Sequence, residues 1–151
     1  MVIAAGCDHA GVLLKRALER FLVEGGTDVI DVGTSGETSV DYPDFAASVA
    51  SMVSSGEVDR GILICGSGIG MSIVANKFRG IRAALCNDLY SAAMSRMHND
   101  TNILVMGSRI VATELAIEIV KVWLMTEFSG GRHELRIKKI SKIEESIAEH
   151  K

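Results

Sequence analysis

Along the chain, short apolar runs that end in glycine or a polar residue alternate with stretches in which apolar residues recur every three or four positions. The first pattern predicts buried strands and the second amphipathic helices. The first run ends at Gly6-Cys7-Asp8-His9-Ala10-Gly11, and Val12, Leu13, Ala17, Leu18, Phe21 and Leu22 then follow at helical spacing until Gly25-Gly26. Thr27 to Val32 alternates and is rich in β-branched residues, which predicts a second strand; residues 33 to 42 read as loop. Asp41 and Pro43 mark a capped helix start, Phe45, Ala46, Val49, Ala50 and Val53 give its apolar face, and Ser54-Ser55-Gly56 closes it.

Gly61 to Cys65 reads as a third, buried strand, followed by glycines at 66, 68 and 70 and a helix to about Asn76. A fourth strand is expected over Ile81 to Cys86, with Asn87-Asp88 capping a helix through Ala92, Ala93 and Met97 and His98-Asn99-Asp100 as a loop. Ile103 to Met106 is the fifth strand. It turns at Gly107-Ser108-Arg109 into a helix over Ala112 to Met125, and Ser129-Gly130-Gly131 breaks the chain before a charged helix from Arg132 to His150.

Five strands alternating with helices predict an α/β fold: a three-layer α/β/α, Rossmann-like arrangement around a five-stranded parallel sheet, plus an extra C-terminal helix. The boundaries are a core over 1–131 and a terminal helix over 132–151 within a single domain. Ile140, Ile143 and Ile147 form a narrow stripe on that helix, suited equally to its own domain and to a second subunit. In such folds ligands bind beyond the carboxyl ends of the strands, where Asp8-His9, Cys65-Gly66, Asn87-Asp88 and Gly107-Ser108-Arg109 fall; His98 lies in the segment feeding strand five.

Composition narrows the function classes. The chain has 151 residues, 48% hydrophobic and 23% charged, enough for one domain with a full core. Its longest uncharged run, Gly61 to Asn76, is interrupted by glycines and too short to span a membrane, and Met1 leads into Val2-Ile3-Ala4-Ala5 without a basic leader. A cytoplasmic location is expected. A formal net charge of −3 and 5% aromatics argue against a nucleic-acid partner. Cysteines 7, 65 and 86 have neither Cys-x-x-Cys nor ligand spacing, and the four histidines form no paired ligand motif, so reduced thiols and no metal site are expected.

The candidate chemistry centres on Cys65. Three glycines at alternate positions let successive backbone N–H groups point into one concavity, which suits an anion, and a helix beginning at Ser67 or Gly68 would favour the thiolate. The motif is not a dinucleotide fingerprint, which needs glycine at Met71, and it lacks the Gly-Lys-Ser/Thr of a P-loop. Met71 also stands where a Cys-x5-Arg phosphatase loop needs arginine. Phosphate binding, nucleophilic attack and proton transfer all remain open at this point. Arg132 and Arg136, one helical turn apart, can fork a phosphate or form a solvated basic face; Arg109 is a further candidate. His9 and His98 are expected in loops, with Asp8 and Asp100 placed to orient them.

Taken together, Gly6-Cys7-Asp8-His9-Ala10-Gly11, Asp41-Tyr42-Pro43-Asp44, Cys65-Gly66-Ser67-Gly68-Ile69-Gly70-Met71-Ser72, His98-Asn99-Asp100-Thr101-Asn102, Gly107-Ser108-Arg109 and Gly130-Gly131-Arg132-His133 resemble ribose-5-phosphate isomerase, type B, over nearly the whole chain. The wider group includes galactose-6-phosphate isomerase. The resemblance implies a homodimer, sometimes a tetramer, that builds each sugar-phosphate site from two chains without metal or organic cofactor. It implies Cys65 as the base moving a proton between C1 and C2, and the N–H groups of Gly66, Gly68, Ile69 and Gly70 as the cradle of the enediolate. His98 would assist ring opening, Ser67 and Tyr42 would contact sugar oxygens, and Asp8 and Asn99 would hold hydroxyls. His9, Arg109, Arg132 and Arg136 would bind phosphate, some from the partner chain. One branch of the family replaces the cysteine and carries glutamate at the position of Met71; this chain is similar to the cysteine branch. The expected reaction is ribose 5-phosphate to ribulose 5-phosphate, with galactose or allose 6-phosphate, or a non-catalytic sugar-phosphate or nucleotide module, as alternatives.

Overall fold

The computed structural model describes residues 1–149. Its strands are β1 (Val2–Cys7), β2 (Asp28–Asp31), β3 (Arg60–Cys65), β4 (Ala83–Leu85) and β5 (Ile103–Gly107). The helices are α1 (Val12–Glu24), α2 (Tyr42–Ser55), α3 (Ile69–Ala75), α4 (Leu89–Asn99), α5 (Thr113–Met125) and α6 (Arg132–Glu149), and a single 3-10 turn covers His9–Gly11. The sheet is parallel throughout, in the order β2-β1-β3-β5-β4. Residues 150 and 151, the end of the expected terminal helix, lie outside the described residues.

Alternation along the central strands divides the core in two. Ile3, Ile62, Ile64, Leu104 and Met106 pack with Leu18 of α1, Ala92 of α4 and Ile119 and Trp123 of α5. Ala4, Leu63, Cys65, Ile103 and Val105 face Ala46, Val49 and Ala50 of α2 and Met71 and Ala75 of α3. Sheet, layers and helix order match the sequence expectation.

Three local expectations change. β4 is shorter than Ile81 to Cys86 because side-chain amides take the backbone donors at its start: Arg82 N–H donates to Asn102 Oδ1 (2.8 Å) and Ala83 N–H to Asn76 Oδ1 (2.9 Å). Asp41 does precede α2, but its side chain makes no capping bond; Pro43 sets the first turn instead. His98 and Asn99 are not in a loop. They form the last turn of α4, which stops only at Asp100, a non-glycine residue in the left-handed region (φ 45°).

The direction of α4 matters for function. It leaves the carboxyl end of β4 and returns to the start of β5, so its last turn lies at the amino edge of the sheet, whereas Cys65 ends β3 at the carboxyl edge. The two edges are separated by about 17 Å of strand. α6 packs beside that last turn, and Glu144 further along accepts the Gly80 N–H on both carboxylate oxygens (2.9 and 3.0 Å). Ile140, Ile143 and Ile147 stay 50, 60 and 59% exposed, so the domain itself leaves the stripe uncovered. Among the described residues no helix is long and apolar enough to cross a membrane.

Candidate active site

A cavity of about 450 Å³ opens over the carboxyl ends of β1, β3 and β5, lined by Asp8, His9, Ala10, Tyr42, Cys65, Gly66, Ser67, Gly70, Arg109 and Ile110. Each side chain reaches it by a local device. Asp8 caps the 3-10 turn by accepting the Ala10 N–H (3.0 Å), which holds a nearly buried carboxylate at the end of β1. His9 Nδ1 accepts the Val40 N–H at 3.3 Å, so the ring is pinned to the loop before α2 and Nε2 is the nitrogen that carries the proton.

The glycine loop is organised around sulfur. Gly68 N–H donates to Cys65 Sγ at 3.1 Å, a contact suited to a thiolate, and Ile69 N–H donates to Ser67 Oγ at 3.3 Å. The Ser67 hydroxyl thereby keeps its own proton to donate. Engaging those two N–H groups narrows the expected concavity: of the loop, Gly66, Ser67 and Gly70 line the cavity, and Gly68 and Ile69 do not. Gly68 sits at φ +79°, and a Cβ there would stand 2.4 Å from Leu85 Cδ1, so both backbone and space require glycine. The loop is fastened to the next turn, since Ser108 N–H donates to the Cys65 carbonyl (2.8 Å) and Arg109 N–H to that of Gly66 (3.1 Å).

Cys65 is distinguished from its two counterparts by its surroundings. All three are buried but only Cys65 lines the cavity; burial pushes the Cys7 and Cys86 thiols up to about 12 and about 11 respectively. Both pack within the core on the α1/α4/α5 side of the sheet.

The structure therefore brings together Asp8, His9, Tyr42, Cys65, Gly66, Ser67, Gly70 and Arg109. It does not bring His98, Asn99, Arg132 or Arg136 to them. Those four cluster at the opposite edge, where Arg132 and Arg136 are exposed on the first turns of α6 and His98 stacks on His133 with ring centroids 4.2 Å apart and planes 7° from parallel. Asp100 does not orient a histidine. Its carboxylate pairs with Arg96 Nη1 (2.7 Å) and Arg82 Nη2 (3.1 Å). Sequence reasoning gave no role to Ser108, whose hydroxyl donates to the Ala10 carbonyl (2.8 Å) and so ties the Asp8-His9 turn to the Cys65 loop, or to His133; both lie inside motifs that carry the family resemblance.

Among the described residues no group of three or more His, Cys, Asp or Glu side chains is arranged to hold a metal ion. What the cavity offers is a sulfur beside hydrogen-bond donors, with a carboxylate, an imidazole and a guanidinium at its rim: a place to move protons on a small polar anion.

Comparison with known proteins agrees with that chemistry. The model of the Ribose/Galactose Isomerase family matches residues 3–140. The chain is 54% identical over 143 residues to ribose-5-phosphate isomerase B of Escherichia coli (strain K12), covering 95% of this chain and 96% of that protein. Ribose-5-phosphate isomerase B of Clostridium thermocellum superposes with a TM-score of 0.96 at 56% identity, over 97% of this chain and 99% of its own. The Mycoplasma genitalium enzyme, solved with bound ribulose-5-phosphate, has a TM-score of 0.92 at 40% identity, over 95% and 96% of the two chains.

Proposed function

The chain belongs to the Ribose/Galactose Isomerase family, and within it we propose that it interconverts D-ribose 5-phosphate and D-ribulose 5-phosphate with Cys65 as the base. The observation that carries this reading is the Cys65 sulfur, held by the Gly68 N–H at the floor of a cavity whose rim supplies Asp8, Tyr42, Ser67 and Arg109.

The chemistry runs in two stages. In ring opening, His98 takes the proton of the C1 hydroxyl and returns a proton to the ring oxygen; the C1–O4 bond breaks as the C1 carbonyl forms. In isomerisation, the Cys65 thiolate removes the proton from C2 and delivers it to C1, and the O2 hydroxyl proton passes to O1, so that the C1 carbonyl becomes a hydroxyl and C2 the carbonyl. The negative charge on the intervening enediolate oxygens meets the remaining loop N–H groups and the Ser67 hydroxyl. Asp8 and Asn99 hold hydroxyls, Tyr42 closes one wall, and His9, Arg109, Arg132 and Arg136 hold the phosphate.

Because His98 and Cys65 sit at opposite edges of one sheet, this assignment requires two chains. A second copy, related by a two-fold axis, supplies His98, Asn99, Arg132 and Arg136 to the cavity of the first. The uncovered stripe of α6 gives such a copy apolar surface to bury. The reading is tested by ketose formation from ribose 5-phosphate, with galactose and allose 6-phosphates alongside. Cys65→Ala is expected to keep substrate binding and lose ~10²–10⁴-fold or more in turnover. Full activity in that variant rejects the mechanism, and faster turnover of a hexose phosphate moves the substrate within the family.

A further inference from the structure

His133 is the one buried residue of α6 between Arg132 and Ala148, 8% exposed on a helix that otherwise lies largely in solvent. An apolar side chain would anchor such a helix at lower desolvation cost. Instead an imidazole lies flat on the imidazole of His98, 4.2 Å centroid to centroid and 7° from parallel. We propose that His133 is a positioning residue for His98: its ring is the platform that fixes the plane of the His98 imidazole, and so the directions in which that ring gives and takes the protons of ring opening.

This inference rests on the assignment of His98 to ring opening. Three features support it. A face-to-face stack restrains the ring plane while leaving both nitrogens at the rim, free of the contact. The surroundings keep His133 uncharged at neutral pH, since burial, then His98 from α4, then Arg132 and Arg136 from its own helix hold it below the usual histidine range. The carboxylate of Asp100, two residues beyond His98, is engaged by Arg82 and Arg96. Finally, an uncharged ring leaves no second imidazolium to repel the proton that passes through His98 in ring opening.

The test compares His133→Leu, which keeps an apolar anchor for α6 but offers no flat ring, with His133→Phe, which keeps the plane. Both are assayed as full-length protein in both directions. Ribulose 5-phosphate is open-chain, because the oxygen that would close a five-membered ring on C2 is esterified; its consumption needs no ring opening. His133→Leu is expected to slow ribose 5-phosphate turnover ~10-fold or more with KM little changed, to slow ribulose 5-phosphate consumption much less, and His133→Phe to stay within ~3-fold of the parent. The His98 imidazole 15N resonances should broaden or split in the Leu variant and remain a single sharp set in the Phe variant, whatever the activities.

Equal behaviour of the two variants, an equal loss in both directions, or a rise in KM alone overturns the inference, because His133 would then only anchor the arginine-bearing turn of α6. If His98→Gln itself leaves ribose 5-phosphate turnover intact, the ring-opening assignment of His98 fails instead, and the two failures are distinguishable.

Discussion

Three cysteines end or follow strands of the same sheet, and only one has a hydrogen-bond donor aimed at its sulfur from a glycine turn in an open cavity. Cys65 is therefore expected to be the single site of alkylation by iodoacetamide in the native protein at pH 8, with loss of activity in step, and peptide mapping that finds Cys7 or Cys86 modified first would contradict this assignment. The other two thiols matter for stability. Their protonated forms are favoured in the fold, at about 12 for Cys7 and about 11 for Cys86 against 9.0 for the free thiol, so the folded state binds more protons than the unfolded chain across that interval. Stability should be intact below pH 9 and fall as pH rises toward 11 and 12. A Cys7→Ala/Cys86→Ala double variant should show a flatter alkaline decline in urea titrations. Gly70 sets the third residue-level expectation. A Cβ there would stand 2.6 Å from the Tyr42 ring, which is 40% exposed and free to swing aside. Gly70→Ala should thus raise KM ~10-fold with little change in melting temperature, since displacing a half-exposed ring costs the core nothing.

At the level of elements, the most informative join is the end of α4. Arg82 donates from Nε to the carbonyls of Asn99 and Asp100 (both 3.0 Å) and from Nη2 to the Asp100 carbonyl (2.8 Å), while the Asp100 carboxylate binds both Arg82 and Arg96. This clamp stabilises a left-handed residue that is not glycine and fixes the turn bearing His98 and Asn99. Asp100→Ala is expected to lower stability by about 1–3 kcal/mol in urea unfolding, and Asp100→Asn by less, because asparagine tolerates the backbone angle and still accepts a hydrogen bond. The same join explains a sequence misreading. At α1 and α2 glycine marks the helix end, at Gly25 and Gly56, whereas the stop at Asp100 depends on Arg82, a residue distant in sequence. β4 was overextended for a related reason: Asn76 and Asn102 trim it with side-chain amides that no periodicity reveals.

For the whole molecule, the parallel sheet was legible because its buried strands are compact apolar runs, the edge strand β2 alternates, and each crossover helix carries its stripe. The cavity was legible for the same reason, since Asp8, Cys65 and Arg109 lie at or just beyond strand ends. The other half of the proposed site was legible as motifs but not as positions. His98 precedes β5, and in a parallel sheet that places it at the edge away from Cys65; gathering both into one site needs a second chain, which a single sequence does not display. The exposed Ile140, Ile143 and Ile147 stripe points the same way. The central claim is therefore that each site combines Cys65 of one protomer with His98 of another. It is tested most directly by mixing two inactive variants, Cys65→Ala and His98→Gln, under conditions that exchange subunits, and measuring ribose 5-phosphate isomerisation. If sites are shared, an equal mixture should recover about a quarter of the parent activity, because about half of the dimers are mixed and each mixed dimer holds one intact site. If both residues act within one chain, every site in the mixture carries a defect, and no activity above that of the separate variants will return.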